Sequence, residues 1–590
     1  MNYLDTGVLV VYFVFIVVAA WCFKRFASDS SQFINGGASM PWWMAGATAF
    51  MTQFSAWTFT GAAGKAYVDG AAVLALFWGN ALGFFVACRF FAARYRKLRV
   101  ETSMEVIRLR FGKPTERLFT WLQLPLSTLT AAIWLNGLAY ILSAVTGYDR
   151  VATLVVTGMV ITFISTSGGA WTVNATNVIQ LVLILAITLV TGAYALYLAD
   201  GPTGIVERFP VDFWLGADMR LSSIMLMWVA LIMTQQVLST NNAISCYRFL
   251  MTRTEREAQR AAFLAGALFI VGPVMWFIPP WVVAMQGVDL SAHYPQLGDQ
   301  ANNAAYLYFV EQAMPPATIG LTLAAMVAAT VAPMSTALNR NAGIFLRNVY
   351  QRASHGEPHL VRVGRIATLA NGTLATLVGW WMAEQEGLGF FDLVMMISSM
   401  LLLPLSIPSM LAVVVRRTPD WAGWSTVLVG GGVSLVFFFG FDPAYMADWL
   451  GLERLTAREA GDLRFALTVL AQLMVTGGYF FMTGRWYGRT GSAERRRQLG
   501  RFFSNMCRPL RPEEIARVNP AQARQLGSLL LGLTVLLLPL LGLAEQGAAL
   551  WLHAAIVLTV GAAGFALRYL ASAGAGRAGK RSAAGQGRMG

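Results

Sequence analysis

The chain has 590 residues, of which 56% are hydrophobic and 13% are charged, and its formal net charge is +14. A soluble domain carries roughly 25% charged residues, so this composition excludes a soluble enzyme. Disordered chains are polar and poor in aromatic residues, so it excludes a disordered protein as well. We therefore expect an integral membrane protein that lies in the lipid bilayer as one membrane domain.

Apolar runs of about 20 residues, the length that crosses a bilayer, recur along the whole chain. They predict about fifteen spans, at residues 6–23, 41–66, 70–90, 118–146, 151–168, 174–199, 221–246, 261–286, 315–345, 366–385, 389–415, 420–441, 464–484, 526–544 and 548–570. The segment before the first run carries Asp5 and no basic residue. This predicts a retained helix, because a cleaved secretory signal begins with basic residues.

Positive charges indicate which side of the membrane each loop faces. When the N-terminus is placed outside, the cytoplasmic segments hold 37 of the 44 Lys and Arg residues, and the outer loop 288–314 holds none. We therefore predict a multi-pass protein of the cell (inner) membrane with its N-terminus outside and its C-terminus in the cytoplasm. The same asymmetry accounts for the positive charge without a nucleic-acid partner.

Two spans carry polar groups at positions where helices could be interrupted. Residues 51–67 contain a Thr-Gly-Ala-Ala-Gly stretch, and residues 329–340 contain a proline followed by a Met-Ser-Thr sequence. Breaks at membrane depth are tolerated where they face protein or a water-filled cavity. In the second segment, Ala332, Ser335 and Thr336 share one helix face and could offer a carbonyl and two hydroxyls to a small hard cation. The alternative is that the hydroxyls only bond carbonyls one turn back.

Several short motifs occur in an order that is typical of one transporter family. They are Phe33-Ile34-Asn35-Gly36-Gly37, Pro41-Trp42-Trp43, the segment with Gly61, Gly64 and Tyr67, Gly168-Gly169, Thr176-Asn177-Val178-Ile179-Gln180, Tyr247-Arg248-Phe249-Leu250, and Met334-Ser335-Thr336 with Asn339 and Tyr350. On these residues the chain resembles the sodium:solute symporter family over roughly residues 30–420. The resemblance implies a transporter, not an enzyme, with sodium as the coupling ion and no organic cofactor.

The resemblance also implies an all-α polytopic fold of the LeuT type, in which two inverted five-helix repeats surround a site at the membrane midplane. One N-terminal helix and several C-terminal helices are expected beside the repeats. The predicted regions are an N-terminal helix and loop (1–40), the first repeat (41–200), the second repeat (221–416), additional helices (420–484), a basic cytoplasmic linker (485–525), two C-terminal helices (526–570) and a disordered tail (571–590).

Motif by motif, the family's main sodium site can be carried over onto this chain. Two carbonyls come from the broken first repeat helix, and one carbonyl and two hydroxyls come from the ninth span. The resemblance thus implies sodium ligands at Met51, Phe54, Ala332, Ser335 and Thr336. Relatives with a second sodium site have an acidic residue where this chain has Asn177. Because an intramembrane carboxylate is costly and kept for ions, its absence favours one sodium per solute.

The solute is expected beside the sodium, near the break of the second span. The candidate binding residues are Gln53, Trp57, Thr58, Gln235 and Asn242. Amides and aromatic rings suit a small neutral or zwitterionic solute, although each amide could equally serve only to join helices. Arg340 on the ninth span could attract an anionic solute, or it could snorkel to the interface or meet a carboxylate.

Together these observations predict a sodium-coupled symporter that imports a small polar organic solute by alternating access. Two alternatives remain open. One is a transporter-like sensor that signals through the basic linker and the last two spans. The other is a proton-coupled carrier on the same fold.

Overall fold

The computed structural model describes residues 3–23, 30–167, 169–350, 357–384, 390–442, 455–489, 492–516, 520–543 and 547–586, with Tyr445, Asp448 and Gly451. Within these residues it contains no β-strand, only one isolated bridge between Met40 and Thr252. The prediction of an all-α protein is confirmed.

The helices follow one another with short connections. The first group is α1 Tyr3–Phe23, α2 Ser30–Asn35, α3 Trp42–Met51, α4 Ala56–Phe59, α5 Gly61–Asp69, α6 Leu74–Val86, α7 Ala92–Lys97, α8 Ser103–Thr146, α9 Arg150–Ser167, α10 Gly169–Leu198 and α11 Pro202–Arg208. The second group is α12 Ser222–Asn241, α13 Tyr247–Leu250, α14 Glu255–Met285, α15 Leu290–His293, α16 Ala305–Ala313, α17 Thr318–Ile344, α18 Glu357–Ala383, α19 Phe390–Ile397 and α20 Leu403–Leu411. The last group is α21 Ala422–Phe439, α22 Ala457–Ala471, α23 Gly478–Met482, α24 Ala493–Cys507, α25 Pro520–Leu537, α26 Pro539–Leu543 and α27 Ala548–Gln586.

Shorter helical turns extend or connect these helices. The π-helical segments are Ala87–Phe91, Phe345–Tyr350, Ser398–Leu402 and Gln472–Gly477, and the 3-10 segments are Gly36–Ala38, Gly70–Val73, Pro295–Ala304, Thr483–Arg489 and Pro512–Glu514. Helix α27 continues through Gln586. Its backbone is therefore helical over most of the residues for which the sequence predicted a disordered tail.

Twelve helices among the described residues are long and apolar enough to cross a membrane, and Arg150–Thr166 is a shorter apolar helix. The multi-pass prediction is confirmed, but the number of about fifteen spans is not. The stretch Ala56–Lys97 contains parts of two predicted spans but is only one of the twelve helices. Helix α18 has 27 residues and is not among the twelve.

Several helices begin at a threonine whose hydroxyl accepts a hydrogen bond from the backbone N–H three residues later. Thr102 caps α8, Thr254 caps α14, and Thr456 caps α22. In each case a glutamate occupies the third helical position, which is the sequence pattern of a capping box. Only at Thr456 does the glutamate, Glu459, also bond back to the cap. These caps fix where the helices begin.

Helix α17 forms the centre of the bundle. An apolar segment of 18 residues within the stretch Thr318–Tyr350 is entirely buried, and α17 contacts α1, α8, α9, α10 and α18. Its many Ala, Gly, Ser and Thr residues allow neighbouring helices to approach closely. A polar group on any face of α17 is consequently surrounded by protein.

Apart from α8, which is kinked at Gly112 (φ 82°), two of the described spans are interrupted, one in each predicted repeat. Helix α3 ends at Met51, residues 52–55 are not helical, and α4 and α5 continue the span. Helix α12 ends at Asn241, residues 242–246 form bends and turns, and α13 follows. Paired discontinuous helices of this kind place unwound backbone at the centre of a transporter fold.

The breaks agree only in part with the sequence expectation. Thr60, the first residue of the Thr-Gly-Ala-Ala-Gly stretch, is not helical and separates α4 from α5, whereas the glycines after it lie within α5 and α17 is helical through Pro333. Gly64 serves close packing instead, because a Cβ there would lie 2.6 Å from Oδ1 of Asn303. Pro333 removes only one backbone donor, and the packing around α17 holds the rest of its helix together.

Candidate functional site

A cavity of about 250 Å³ lies between the two interrupted helices. Its walls come from the break after α3, from α6, α8 and the α12–α13 break, and from α17 and the α19–α20 segment. Its lining is largely polar on the side of α12 and α17. The polar residues considered below are Gln53, Gln235, Asn242, Arg248, Thr336 and Arg340.

Two of the five residues predicted as sodium ligands line this cavity, and the other three are buried outside its lining. The lining residues are Phe54 and Thr336, and the buried ones are Met51, Ala332 and Ser335. The backbone N–H of Ala56 donates a 3.2 Å hydrogen bond to Oγ1 of Thr330, which ties the break after α3 to α17. The structure therefore brings the two halves of the predicted ligand set onto adjoining elements.

The two hydroxyls on α17 adopt the geometry that the sequence left open as an alternative. Ser335 Oγ donates to the carbonyl of Ala332 at 3.1 Å, and Thr336 Oγ1 donates to the same carbonyl at 2.8 Å. A hydroxyl that donates its hydrogen keeps two acceptor lone pairs. Thr336 uses one of them to accept from Nδ2 of Asn177 at 3.2 Å. Both hydroxyl oxygens thus retain capacity to bind a cation.

Pro333 adds a further oxygen on this face. Because proline has no N–H, the carbonyl of Ala329 lacks its usual intrahelical donor. Ala329 lies three residues before Ala332 and therefore on the same side of α17. From the sequence, Pro333 indicated only a possible interruption of the helix.

The predicted solute residues are divided by the structure. Gln53, Trp57, Gln235 and Asn242 line the cavity. Thr58 does not belong to the lining, although its side chain is only 1% exposed. On helix α4, Trp57 and Thr58 are neighbours in sequence, so their side chains leave the helix about 100° apart and only the first reaches the cavity.

Two of the predicted amides have different amounts of hydrogen-bonding capacity left. Asn242 donates to the carbonyl of Ser239 and to Oγ of Ser406, both at 2.9 Å, and accepts from the backbone N–H of Ser245 at 2.8 Å. Its two donors hold the α12–α13 break in place. By contrast, Oε1 of Gln235 is buried and has no hydrogen-bond partner among the described residues. Gln235 is consequently the better placed of the two to bind a solute.

An aromatic cluster, consisting of Phe54, Trp57, Phe59, Phe77 and Trp276, lies beside the cavity, which Phe54, Trp57 and Phe77 line. Ring centroids of Phe54 and Trp276 are 4.7 Å apart, and those of Trp57 and Phe77 are 6.3 Å apart and stacked. Phe77 also packs against Trp276 at 5.8 Å. Of these rings, the sequence pointed only to Trp57 as a solute contact and to Phe54 through its carbonyl, since nothing in the spacing of the others distinguishes them from ordinary core residues.

Away from this cluster, the cavity extends along Tyr247, Arg248 and Arg340. Among the described residues that line it, two are arginines and none is Asp, Glu, His or Lys. The cavity is therefore positively charged.

The sequence comparisons agree with this architecture. Residues 33–430 match the model of the sodium:solute symporter family. The sodium/glucose cotransporter of Vibrio parahaemolyticus is 24% identical over 412 residues, which cover 64% of this chain and 75% of that protein. The sodium/sialic acid symporter SiaT of Proteus mirabilis is 22% identical over 463 residues, covering 74% of this chain and 88% of the relative.

Solved structures show the same fold. A sodium-coupled sialic acid symporter in a substrate-bound outward-open state aligns with a TM-score of 0.63 at 18% identity, covering 83% of this chain and 98% of that structure. Mhp1, a nucleobase-cation-symport-1 family transporter, aligns with a TM-score of 0.50 at 16% identity, covering 80% and 98%. Because the family model covers more than half of the sequence, the chain belongs to the sodium:solute symporter family and is a transporter, not an enzyme.

Proposed function

We propose that this protein is a sodium-coupled symporter that imports a small polar organic solute by alternating access. The observation that carries the proposal is the cavity between two interrupted helices, which is lined by Thr336 and Gln235, with Ser335 buried next to Thr336 in sequence. In this proposal Met51, Phe54, Ala332, Ser335 and Thr336 bind one sodium ion. Gln53, Trp57 and Gln235 contact the solute, and Asn242 positions the break beside it.

Sodium is favoured over protons as the coupling ion. A proton-coupled carrier needs a side chain in the cavity that gains and loses a proton near neutral pH. The described lining residues include no Asp, Glu, His or Lys. Hydroxyl and carbonyl oxygens, which suit a small hard cation, are the groups that the site offers instead.

The proposed orientation places the N-terminus outside and the C-terminus in the cytoplasm of the inner membrane. The distribution of Lys and Arg among the loops supports it. In this orientation the aromatic cluster lies toward the outside, and the part of the cavity lined by Arg248 and Arg340 lies toward the cytoplasm.

The sodium site can be tested before the solute is known. Thermal unfolding of the purified protein is measured against sodium chloride, with potassium and choline chloride at equal ionic strength, for the wild type and for Ser335→Ala/Thr336→Ala. Sodium at a hundredfold excess over its dissociation constant should stabilise the wild type by about 2.7 kcal/mol. The double variant should lose this effect.

Thr322→Ala is the matched control, because Thr322 is a buried threonine on the same helix, more than three turns from Thr336. It should keep the response to sodium. If sodium fails to stabilise the wild type, or stabilises the double variant equally, the sodium site is wrong. Sodium-driven uptake of a panel of sugars and sugar acids into proteoliposomes then separates a transporter from a sensor, which would bind without accumulating solute.

A further inference from the structure

The proposed function does not specify the charge of the solute, and the charge of the cavity bears on it. Arg248 and Arg340 both line the cavity, and no acidic residue is found among the described lining residues. An arginine at membrane depth is costly unless it is paired or serves a ligand. The two guanidinium groups therefore need separate explanations.

Arg248 is held by the protein itself. Its Nε donates to the carbonyl of Ser245 at 2.6 Å, and its Nη1 donates to the carbonyl of Ala49 at 2.9 Å and to Oγ1 of Thr52 at 3.2 Å. The guanidinium also lies 5.0 Å from the ring centroid of Phe84. These contacts join the last turn of α3 to the α12–α13 break, so Arg248 has a structural role that needs no ligand.

Arg340 has far fewer contacts. Its Nη2 donates one long hydrogen bond, 3.4 Å, to Oγ of Ser127. Its Nε is buried and has no hydrogen-bond partner among the described residues. A guanidinium has five N–H donors in a planar fork, so most of the binding capacity of Arg340 is unused. The snorkelling alternative is not supported, since Arg340 lines the cavity and is only partly exposed.

The position of Arg340 relates it directly to the proposed sodium site. Arg340 follows Thr336 by four residues, about 6 Å along the helix axis, and lies on the same face of α17. Both residues line the cavity. A solute beside the sodium would therefore have the guanidinium of Arg340 within reach.

We propose, building on the proposed function, that Arg340 binds a carboxylate of the transported solute, which makes the solute an organic anion. The planar guanidinium matches a carboxylate in a two-point, charge-assisted interaction. Gln235 would bind the polar remainder of the solute from the facing wall. The carboxylate supplies the negative charge that the lining residues lack.

The same arrangement couples the two substrates electrostatically. In the absence of solute, the charge of Arg340 opposes sodium binding one turn away. A bound carboxylate cancels this repulsion and raises the affinity for sodium, and by linkage sodium raises the affinity for the carboxylate equally. Coupling of this kind needs no direct contact between sodium and solute.

The test compares pairs of probes that differ in a carboxylate: acetate with acetamide, D-glucuronate with D-glucose, and N-acetylneuraminate with its methyl ester. The sodium concentration that gives half-maximal thermal stabilisation is measured with each probe at constant ionic strength. In the wild type, at least one carboxylate should lower this midpoint several-fold while its neutral counterpart does not. The expected limit is about tenfold, as for unit charges about 10 Å apart in a protein-like dielectric.

Variants identify the residue responsible. Arg340→Gln should lower the sodium midpoint without any solute and abolish the response to the carboxylate. Arg340→Lys keeps the charge and should retain a weakened response, and Thr322→Ala, a buried position on α17 outside the cavity lining, should behave as wild type. Wild-type midpoints that respond to no carboxylate, or equally to both members of every pair, overturn the anion site. Loss of sodium stabilisation altogether would instead overturn the proposed function.

Discussion

The side chain of Asn177 donates a hydrogen bond of 3.2 Å from Nδ2 to Oγ1 of Thr336. A second, 3.5 Å contact reaches Oγ1 of Thr48, so one amide on α10 joins α17 to α3. Oδ1 of Asn177 is buried and has no hydrogen-bond partner among the described residues. Asn177 thus orients a proposed sodium ligand while leaving an oxygen of its own unused.

This arrangement predicts how the chain would respond to a carboxylate at this position. In Asn177→Asp, a negative charge would lie beside Thr336 and could hold a second sodium ion. We expect sodium titrations of thermal stability to have a Hill coefficient near 1 in the wild type and clearly above 1 in the variant. Asn174→Asp, a buried position one turn earlier on α10, is the control and should stay near 1. A wild-type coefficient near 2 would contradict the single-sodium proposal.

Composition and apolar runs predicted a multi-pass membrane protein, and a helical spacing of three and four residues predicted the polar face of α17, while the class of fold was implied by the family resemblance. The resemblance implied a broken first repeat helix, but the sequence did not predict the break in the second repeat. The break after Asn241 has no Gly or Pro at its start, and it is stabilised by Asn242 and Ser406, which are 164 residues apart. Conversely, Pro333 suggested a break that the surrounding helices prevent. Contacts between residues far apart in sequence determine both the break after Asn241 and the continuous helix at Pro333. Such contacts cannot be read from the local sequence.

Gln235 should be destabilising in the absence of solute. Its Oε1 is buried without a partner among the described residues, and such a group costs about 1–3 kcal/mol. Gln235→Leu is therefore expected to raise the apparent melting temperature of the solute-free protein while abolishing sodium-driven uptake. Melting curves without ligand and uptake into proteoliposomes measure the two effects.

The control for this prediction is Gln472, a buried glutamine whose amide is fully bonded. Its Nε2 donates to the carbonyl of Gly430 at 2.9 Å and to Oγ of Ser434 at 3.0 Å, and its Oε1 accepts from Thr476 at 2.7 Å. Gln472→Leu should lower the melting temperature. If both variants move in the same direction, Gln235 has no special role.

An ion pair attaches the additional helices to the first repeat. Nη1 of Arg458 on α22 lies 2.9 Å from Oδ1 of Asp69, which is 1% exposed and also pairs with Lys65. Removing one partner of a buried pair leaves an uncompensated charge and costs about 3–5 kcal/mol. Because Lys65 would still pair with Asp69, we expect Arg458→Met to lower the free energy of unfolding by about 2 kcal/mol, which is measured as a lower melting temperature.

The exposed pair of Arg208 and Asp200 provides the comparison. Its nitrogen–oxygen distance is 3.0 Å, close to that of the buried pair, but the side chains are 47% and 81% exposed. Exposed pairs contribute less than about 1 kcal/mol. Arg208→Met should therefore lower the melting temperature much less than Arg458→Met. Equal changes in melting temperature would show that the buried pair between Arg458 and Asp69 contributes no more to stability than an exposed pair.

Sodium binding should depend little on pH between 6 and 8. The titratable groups among the described lining residues are Tyr247, Arg248 and Arg340. Tyrosine and arginine ordinarily titrate near 10 and above 12, so none changes its charge in this range. The sodium midpoint should vary by less than about twofold, measured by thermal unfolding in buffers of equal ionic strength. A steep dependence would indicate a titrating group at the site and revive the proton-coupled alternative.

The charge carried per transport cycle distinguishes an anionic solute from a neutral one. One sodium ion with one monocarboxylate moves no net charge, since Arg340 stays with the protein. Steady-state accumulation of the carboxylate should then follow the sodium gradient alone and change by less than about twofold when a potential of 100 mV is imposed with potassium and valinomycin. A neutral solute moving with one sodium would instead gain about 2.3 kcal/mol, or about fiftyfold, from the same potential. Strong dependence of carboxylate uptake on voltage would mean that more than one sodium crosses with it, and Asn177 would then be the first position to re-examine.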